Sequence, residues 1–282
     1  MTGPCRVIAV CGHEAANGEA LRGRTGPEVT VVTSGRDLYR SVVAAWRAGE
    51  QRCVVPMTLG RDPELAADAA RTLRALPAAP RAGTLLAEPF ATARHLIAWL
   101  RAAAGRVPDT SALLVTAPSG DPFEDAELHR IASLVRRHGR HRLVEVAFSG
   151  GDPDPAEGVR RCRLLGASRV VLVPAAFTLP DLPDVADTHV ERTGPPVSSA
   201  ALARILAERV ARARRRWDEH GDDGIAGALA AADGHGHGHG HAHTHVHPPG
   251  VRDHGHDGGH GHPHPHHHPH APGADRVIRS AV

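Results

Sequence analysis

A chain of 282 residues with 33 basic and 31 acidic side chains has a formal net charge of only +2, which argues against a general nucleic-acid or membrane-surface binder. All the basic residues are arginines, and arginine pairs with carboxylates through two parallel hydrogen bonds, so an acidic substrate fits this composition. We find neither a signal peptide nor a run of the roughly 18 apolar residues that a membrane helix needs. We therefore expect a cytoplasmic protein with no nucleic-acid or membrane partner.

Four cysteines are present, and their spacing bears on the kind of compartment and site. Cys5, Cys11 and Cys53 lie in or beside apolar, strand-like runs, and Cys162 lies in a helix-like stretch. None of them forms a CxxC pair, which argues against a structural zinc site. We expect buried thiols in a reducing cytosol.

The first 220 residues alternate short apolar runs with longer helical patterns. The apolar runs predict strands at residues 6–11, 29–33, 52–57, 84–87, 112–116, 143–148 and 169–173, with a weaker candidate at 188–191. Helical periodicity is found at residues 37–48, 63–76, 91–104, 125–138 and 199–217. This alternation predicts an α/β protein with mostly parallel sheets flanked by helices.

An internal repeat divides this region into two similar halves. Residues 52–59 resemble residues 169–179: each is a basic residue, a buried run, a proline that ends the strand, and a loop. Residues 8–13 likewise resemble 113–119. We therefore predict an N-terminal half over residues 1–107 and a C-terminal half over 108–220, with a ligand in the cleft between them.

The first strand ends in Gly12, His13 and Glu14. In parallel α/β sheets ligands bind beyond the carboxyl ends of the strands. A histidine there can bind a metal or accept a proton near neutral pH. The alternative is a loop that caps a helix and happens to contain a histidine.

Three stretches carry a resemblance to a known family. The strand that ends in Gly12 and His13, the strand and loop of residues 54–60, and the stretch 158–174 resemble the CbiX-type sirohydrochlorin cobaltochelatases, which are class II tetrapyrrole chelatases. The resemblance covers roughly residues 5–215. It implies two chelatase-like halves and a lyase-type enzyme that inserts Co²⁺ into a carboxylate-rich tetrapyrrole during cobalamin synthesis. It implies no organic cofactor, while a homo-oligomer or a pathway enzyme remains open as a partner.

The resemblance also implies roles for individual residues. His13 matches the first active-site histidine, a metal ligand or base, and Glu14 beside it would be a proton acceptor or ligand. The second family histidine is expected in the loop after residues 52–57, where this chain has Arg61. An arginine does not ligate a cation but can clamp a substrate carboxylate. Gly12 and Ser119 complete the predicted substrate contacts.

Other candidates have simpler interpretations. Asp121, Glu124, Asp125 and Glu127 lie at a predicted helix start, where interaction with the helix dipole is favoured over a metal site. His141, which follows that helix among arginines, is predicted to be solvated.

The segment 221–282 is rich in glycine, proline and histidine, a composition that prevents a packed core and predicts disorder without metal. Neutral imidazoles suit Co²⁺, Ni²⁺ and Zn²⁺, so we predict a metal-binding tail. The predicted ligands are His235, His237, His239, His241, His243, His245, His247, His254, His256, His260, His262, His264, His266, His267, His268 and His270.

Two classes of function therefore stand. The first is a cobaltochelatase-like enzyme with Co²⁺ as its metal substrate, or Ni²⁺ or Fe²⁺ in a related enzyme, whose tail gathers the ion. The second is a non-catalytic cobalt or nickel storage or metallochaperone protein on a degenerate chelatase scaffold. A cleft that contains His13 and a second metal ligand would favour the enzyme.

Overall fold

A computed structural model describes residues 5–186 and 188–233. The predicted tail ligands His235 to His270 lie outside the described residues. In the described residues, eight strands form two separate four-stranded sheets in which every pairing is parallel.

The two sheets share one topology. The first sheet has the order β2-β1-β3-β4 and the second the order β6-β5-β7-β8, so each half begins on an inner strand and crosses over in the same sense. The strands are β1 (Cys5–Cys11), β2 (Val29–Thr33), β3 (Gln51–Met57), β4 (Thr84–Leu86), β5 (Ala112–Pro118), β6 (Val144–Ser149), β7 (Arg169–Pro174) and β8 (His189–Arg192). The prediction of an α/β protein with two similar parallel halves is confirmed.

Helices cover the sheets because their apolar residues recur with helical spacing. They are α1 (Arg36–Arg47), α2 (Glu64–Arg74), α3 (Ala78–Arg81), α4 (Ala93–Ala104), α5 (Pro122–Arg137), α6 (Pro155–Leu164), α7 (Ser199–His220) and α8 (Ile225–Asp233). A 3-10 segment, His13–Leu21, directly follows β1. We call β1–β4 with α1–α3 the first lobe, and β5–β8 with α5 and α6 the second lobe.

Two long helices cross between the lobes. Helix α4 follows the first sheet but packs against α5 and β7, whereas α7 follows the second sheet but packs against β3 and β4. The Arg209 side chain on α7 is buried, and it donates to Glu88 at 2.8 Å and to the Phe90 carbonyl at 3.2 Å. The Phe90 and Phe177 rings lie 5.4 Å apart inside one apolar core that includes both sheets. Because each of these helices packs on the lobe that its own sheet does not belong to, the two lobes are fixed against each other.

Helix α8 was not predicted from the sequence and lies within residues 221–282, which composition assigned to a segment without order. Its Ile225 is buried and the helix packs against α2. The Asp223 carboxylate accepts from the Ile225 N–H at 2.9 Å, and the Asp223 carbonyl accepts from the Leu86 N–H at 2.8 Å. The chain therefore returns to the first sheet beside β4. In the described ranges we find no helix with both the length and the apolar character to cross a membrane.

Candidate metal centre

His13 stands between two carboxylates from different parts of the fold. Its Nδ1 atom lies 3.6 Å from Oδ2 of Asp62, and its Nε2 atom lies 3.7 Å from Oε2 of Glu124. His13 follows β1 and Asp62 lies in the loop after β3, both in the first lobe, whereas Glu124 lies in the first turn of α5 in the second lobe. The carboxyl ends of three strands thus meet at one point.

Asp62 is oriented by a hydrogen bond at the start of α2, and its carboxylate occupies space that is open because Gly12 has no side chain. Its Oδ1 atom accepts from the Leu65 N–H at 2.9 Å in the first turn of α2, which leaves Oδ2 directed toward His13. A Cβ atom at Gly12 would collide with that Oδ2 atom. Glycine at the end of β1 therefore makes room for the carboxylate.

Glu124 is held in a matching way in the second lobe. Asp121 and Glu124 form a reciprocal capping box: Glu124 N–H donates to Asp121 at 2.8 Å, and Asp121 N–H donates to Oε2 of Glu124 at 2.8 Å. A Cβ atom at Gly120 would collide with the same Oε2 atom. The helix start predicted from the acidic cluster exists, and it also places a carboxylate beside His13.

The environment increases proton affinity at this point. Burial lowers the pKa of His13, but the nearby carboxylates of Asp62, Glu124 and Glu14 outweigh it, so the pKa is raised. Burial also raises the pKa of Glu124, against the opposing effects of the Asp121 N–H and His13. Both groups release their protons at a higher pH than they would in water, which is typical of a functional cluster.

These three side chains could hold a divalent ion. Their ligand atoms lie within 4.8 Å of one another, so modest side-chain movements would bring one nitrogen and two oxygens onto one ion. In the described part of the chain, the Nε2 atom of His13 is buried and has no hydrogen-bond partner. Imidazole and carboxylate together suit divalent transition metals.

Glu14 lies on the inner side of this site. Its Oε2 atom accepts from the Thr58 hydroxyl and, at 2.9 Å, from the Leu59 N–H, while Oε1 has no partner among the described residues. Complete burial raises the pKa of Glu14 in spite of these donors and of nearby Arg61. Glu14 therefore touches the loop that leads to Asp62 rather than the cavity.

Arg61 and Ser119 both contact the acidic start of α5. The Arg61 side chain is fully buried and donates to the Pro118 carbonyl at 3.3 Å and to Asp125 at 3.1 Å. The Ser119 hydroxyl donates to the other oxygen of Asp125 at 2.9 Å. The substrate contacts predicted for Arg61 and Ser119 stay predictions, since a carboxylate clamp would require Arg61 to leave these partners.

A cavity of about 860 Å³ opens beside the cluster, and Asp62 and Glu124 form part of its wall. Its apolar wall includes Leu86, Pro63 and the small residues of α8, and Phe123 lies at the cavity with 68% of its surface exposed. Its charged lining residues are Asp62, Glu88, Asp121, Glu124, Glu127 and Asp222, with Arg61 and Arg216. The volume suits an organic ligand of considerable size.

The sequence singled out His13 but not Asp62 and Glu124, the two carboxylates that the structure places beside it. Asp62 directly follows Arg61, which occupies the expected histidine position, and Glu124 was assigned to an interaction with the helix dipole. A usable signal was present: both carboxylates lie within a few residues of a glycine at the carboxyl end of a parallel strand.

Comparisons with known proteins find one partial sequence match and two structures of low similarity. No family model matches the chain. A sirohydrochlorin cobaltochelatase from Priestia megaterium is 34% identical over 67 residues, which are 23% of this chain and 22% of that protein, so the match spans about a fifth of the relative. SirB from Bacillus subtilis, solved with Fe³⁺, is 15% identical with a TM-score of 0.46, covering 78% of this chain and 99% of that chain.

LpoA from Haemophilus influenzae is more distant, at 12% identity and a TM-score of 0.28, covering 61% of this chain and 34% of that one. The curated relative has the name of the family that the motifs around His13 resemble, and the two parallel sheets are those that the resemblance implies. Over the 67 matched residues the chain is therefore similar to a sirohydrochlorin cobaltochelatase, in agreement with the resemblance of the motifs around His13 to the CbiX-type, class II chelatases.

Proposed function

We propose that this protein is a cytoplasmic enzyme that inserts Co²⁺ into sirohydrochlorin during cobalamin synthesis. The observation that carries the proposal is the meeting of His13, Asp62 and Glu124, with ligand atoms within 4.8 Å, beside a cavity of about 860 Å³. The curated relative of the matched stretch is named as a sirohydrochlorin cobaltochelatase, which supports this choice of metal and macrocycle. Ni²⁺ or Fe²⁺ would suit the same ligands.

Metal insertion exchanges one divalent ion for two pyrrole N–H protons. In our proposal the ion is held by His13, Asp62 and Glu124 and passes from them to the macrocycle nitrogens. The vacated side chains then receive the two protons. The raised pKa values of His13 and Glu124 favour this uptake, because both groups bind protons more readily than they would in water.

Glu14 is the inner partner of His13 in this scheme. Its charge raises the pKa of His13, and its own raised pKa makes it a better base than an exposed carboxylate. We propose that Glu14 keeps His13 ready to accept a proton when the ion leaves.

The cavity supplies the macrocycle site in this proposal. Small or apolar side chains line one side of it, so a flat ring could approach without steric obstruction. Phe123, with 68% of its surface exposed, lies at the cavity beside Glu124, where its ring could stack on a conjugated macrocycle.

We propose that the histidine-rich segment gathers the metal for this site. Helix α8 lines the cavity through Gly227, Ala228 and Ala231, and ends at Asp233, two residues before His235 in the sequence. The tail's own ligands would prefer Cu²⁺ or Ni²⁺ to Co²⁺ by the Irving–Williams order. In our proposal the selection of cobalt therefore comes from the cluster of His13, Asp62 and Glu124 or from the supply of metal ions.

The test is Co²⁺ insertion into sirohydrochlorin, followed by the absorbance of the macrocycle. We compare the wild-type protein with His13→Ala, Glu124→Gln and a chain that stops after Asp233. We expect the two substitutions to reduce the rate at least a hundredfold, about 2.7 kcal/mol of barrier. The shortened chain should keep its rate at saturating cobalt and lose it at limiting cobalt. Insertion that is unaffected by His13→Ala would contradict the assignment of the site.

A second function, a metal-holding protein without catalysis, is favoured by the charge of the cavity. Six acidic residues line it against two arginines, and both arginines contact acidic groups of the protein. Such a wall attracts divalent cations and disfavours a carboxylate-rich macrocycle. Binding of Co²⁺ through His13, with release to a chelator but no insertion into sirohydrochlorin, would establish this alternative.

A further inference from the structure

Arg61 is the residue that links the two carboxylates of the cluster. It follows Gly60, whose backbone has φ +104° and whose Cβ position would collide with the backbone of Thr92 and Ala93. The loop after β3 therefore takes a conformation that only glycine allows easily, closely packed on the start of α4. From that loop the Arg61 side chain, with no exposed surface, extends into the second lobe.

All of its partners there belong to the end of β5 or to the first turn of α5. Both terminal nitrogens donate to the Pro118 carbonyl at 3.3 Å, Nε donates to the Glu124 carbonyl at 3.4 Å, and Nη2 pairs with Asp125 at 3.1 Å. The peptide neighbour of Arg61 is Asp62, one carboxylate of the cluster. Its hydrogen-bonded partner Glu124 is the other.

Asp125 extends this connection. Besides Arg61, it accepts from the Gly120 N–H at 3.0 Å and from the Ser119 hydroxyl at 2.9 Å. Gly120 is the residue against which the Glu124 carboxylate lies. The guanidinium therefore fixes both the backbone that bears Glu124 and the glycine beside its carboxylate.

We propose that Arg61 is a positioning residue that sets the separation of the Asp62 and Glu124 carboxylates across the lobe boundary. The inference rests on the proposed role of His13, Asp62 and Glu124 as metal ligands. A planar guanidinium serves three acceptors in fixed directions, which an ammonium group on a flexible stem does not reproduce. Groups that orient metal ligands in this way typically change metal affinity by about 10–100-fold when they are removed.

The test uses the full-length chain and the visible absorption of bound Co²⁺. Each protein is titrated with Co²⁺ beside a partner that also carries His13→Ala, so the difference spectrum reports the His13-dependent site alone. We expect Arg61→Lys to weaken this site about tenfold or more and to alter its band shape. Asp125→Asn, which keeps the arginine, should have a smaller effect in the same direction. Arg71→Lys, an exposed arginine of α2, is the control and should change neither.

Thermal melting of the metal-free proteins separates positioning from stability. If Arg61→Lys and Asp125→Asn lower the melting temperature but keep wild-type cobalt affinity and band shape, Arg61 only joins the lobes and the inference is overturned. If the wild-type protein shows no His13-dependent cobalt spectrum, the metal site itself is absent and both proposals end. Weakened cobalt binding in the two variants, with Arg71→Lys unchanged, would support the inference.

Discussion

The Nε2 atom of His13, in the first lobe, lies 3.7 Å from Oε2 of Glu124, in the second lobe. Neither lobe alone brings these two groups together, because the two residues follow strands of different sheets. The proposed affinity for a metal at this point would therefore depend on how the two lobes pack against each other. Two lobes with the same strand order thus meet at this point, where the first contributes His13 and Asp62 and the second contributes Glu124.

Gly12 should be required for metal binding more than for folding. A Cβ atom at this position meets a side-chain oxygen of Asp62, which can move, rather than backbone. Gly12→Ala should displace the carboxylate and weaken Co²⁺ binding about tenfold, by roughly 1.4 kcal/mol, with little loss of stability. Calorimetric titration of the chain shortened after Asp233 measures this. Gly105→Ala, where a Cβ meets no contact shorter than 3.4 Å, is the matched control.

On acidification, metal affinity should begin to fall at a higher pH than it would for a site with an ordinary histidine. The ligands must lose their protons before they bind an ion, and the pKa of His13 is raised, so protons compete at pH values above its ordinary pKa of about 6.5. Because the pKa of Glu124 is raised as well, protonation of this second group begins at a higher pH than for an ordinary glutamate and adds to the loss of metal affinity on acidification. Co²⁺ titrations of the shortened chain between pH 8 and pH 5 (roughly one unit or more on each side of an ordinary histidine pKa) test this. Affinity that stays constant from neutrality to pH 6 would refute the prediction.

Phe123 should affect the macrocycle and not the metal. Its side chain is exposed at the cavity, so Phe123→Ala should leave the free energy of unfolding almost unchanged. Loss of one stacking contact, about 1 kcal/mol, should raise the KM for sirohydrochlorin roughly fivefold. Co²⁺ affinity should stay at the wild-type value. A variant that binds the macrocycle as tightly as the wild type would exclude a stacking role for this ring.

The thiols should be inert in the native protein. Burial raises the pKa of Cys11, Cys53 and Cys162 to about 12 each, and all four cysteines are free. Because the thiolate is the reactive form, Ellman's reagent at pH 8 should modify these three only after unfolding in guanidinium chloride. Rapid reaction of more than one thiol in the folded protein would show that the core opens readily.

The fold followed from local pattern. Short apolar runs that alternate with helical periodicity form the buried parallel strands of such a fold. The run at residues 29–33 is one example, and β2 has the predicted bounds. Helix α8 was not predicted because residues 226–232 are mainly alanine and glycine and show no apolar stripe. Its stability comes from packing on α2, which no local pattern shows.

Sites that depend on contact between the lobes were harder to predict. His141 was expected in solvent, yet it is buried, and its two ring nitrogens lie 3.1 Å and 3.0 Å from the carbonyls of Ser111 and Ala104. Glu124 was assigned to an interaction with the helix dipole, because no local pattern indicates how far it lies from His13. The two residues follow strands of different sheets, so only the packing of the two lobes places Glu124 beside His13.

In our proposal one divalent ion is held jointly by His13, Asp62 and Glu124. Crystals of the chain shortened after Asp233, soaked with Co²⁺ and measured on both sides of the cobalt absorption edge, test it most directly. We predict one anomalous peak about 2.1 Å from a ring nitrogen of His13 and within bonding distance of both carboxylates, and no such peak in His13→Ala. Cobalt bound elsewhere, with the imidazole still lying between its two carboxylates, would contradict joint binding by these three residues.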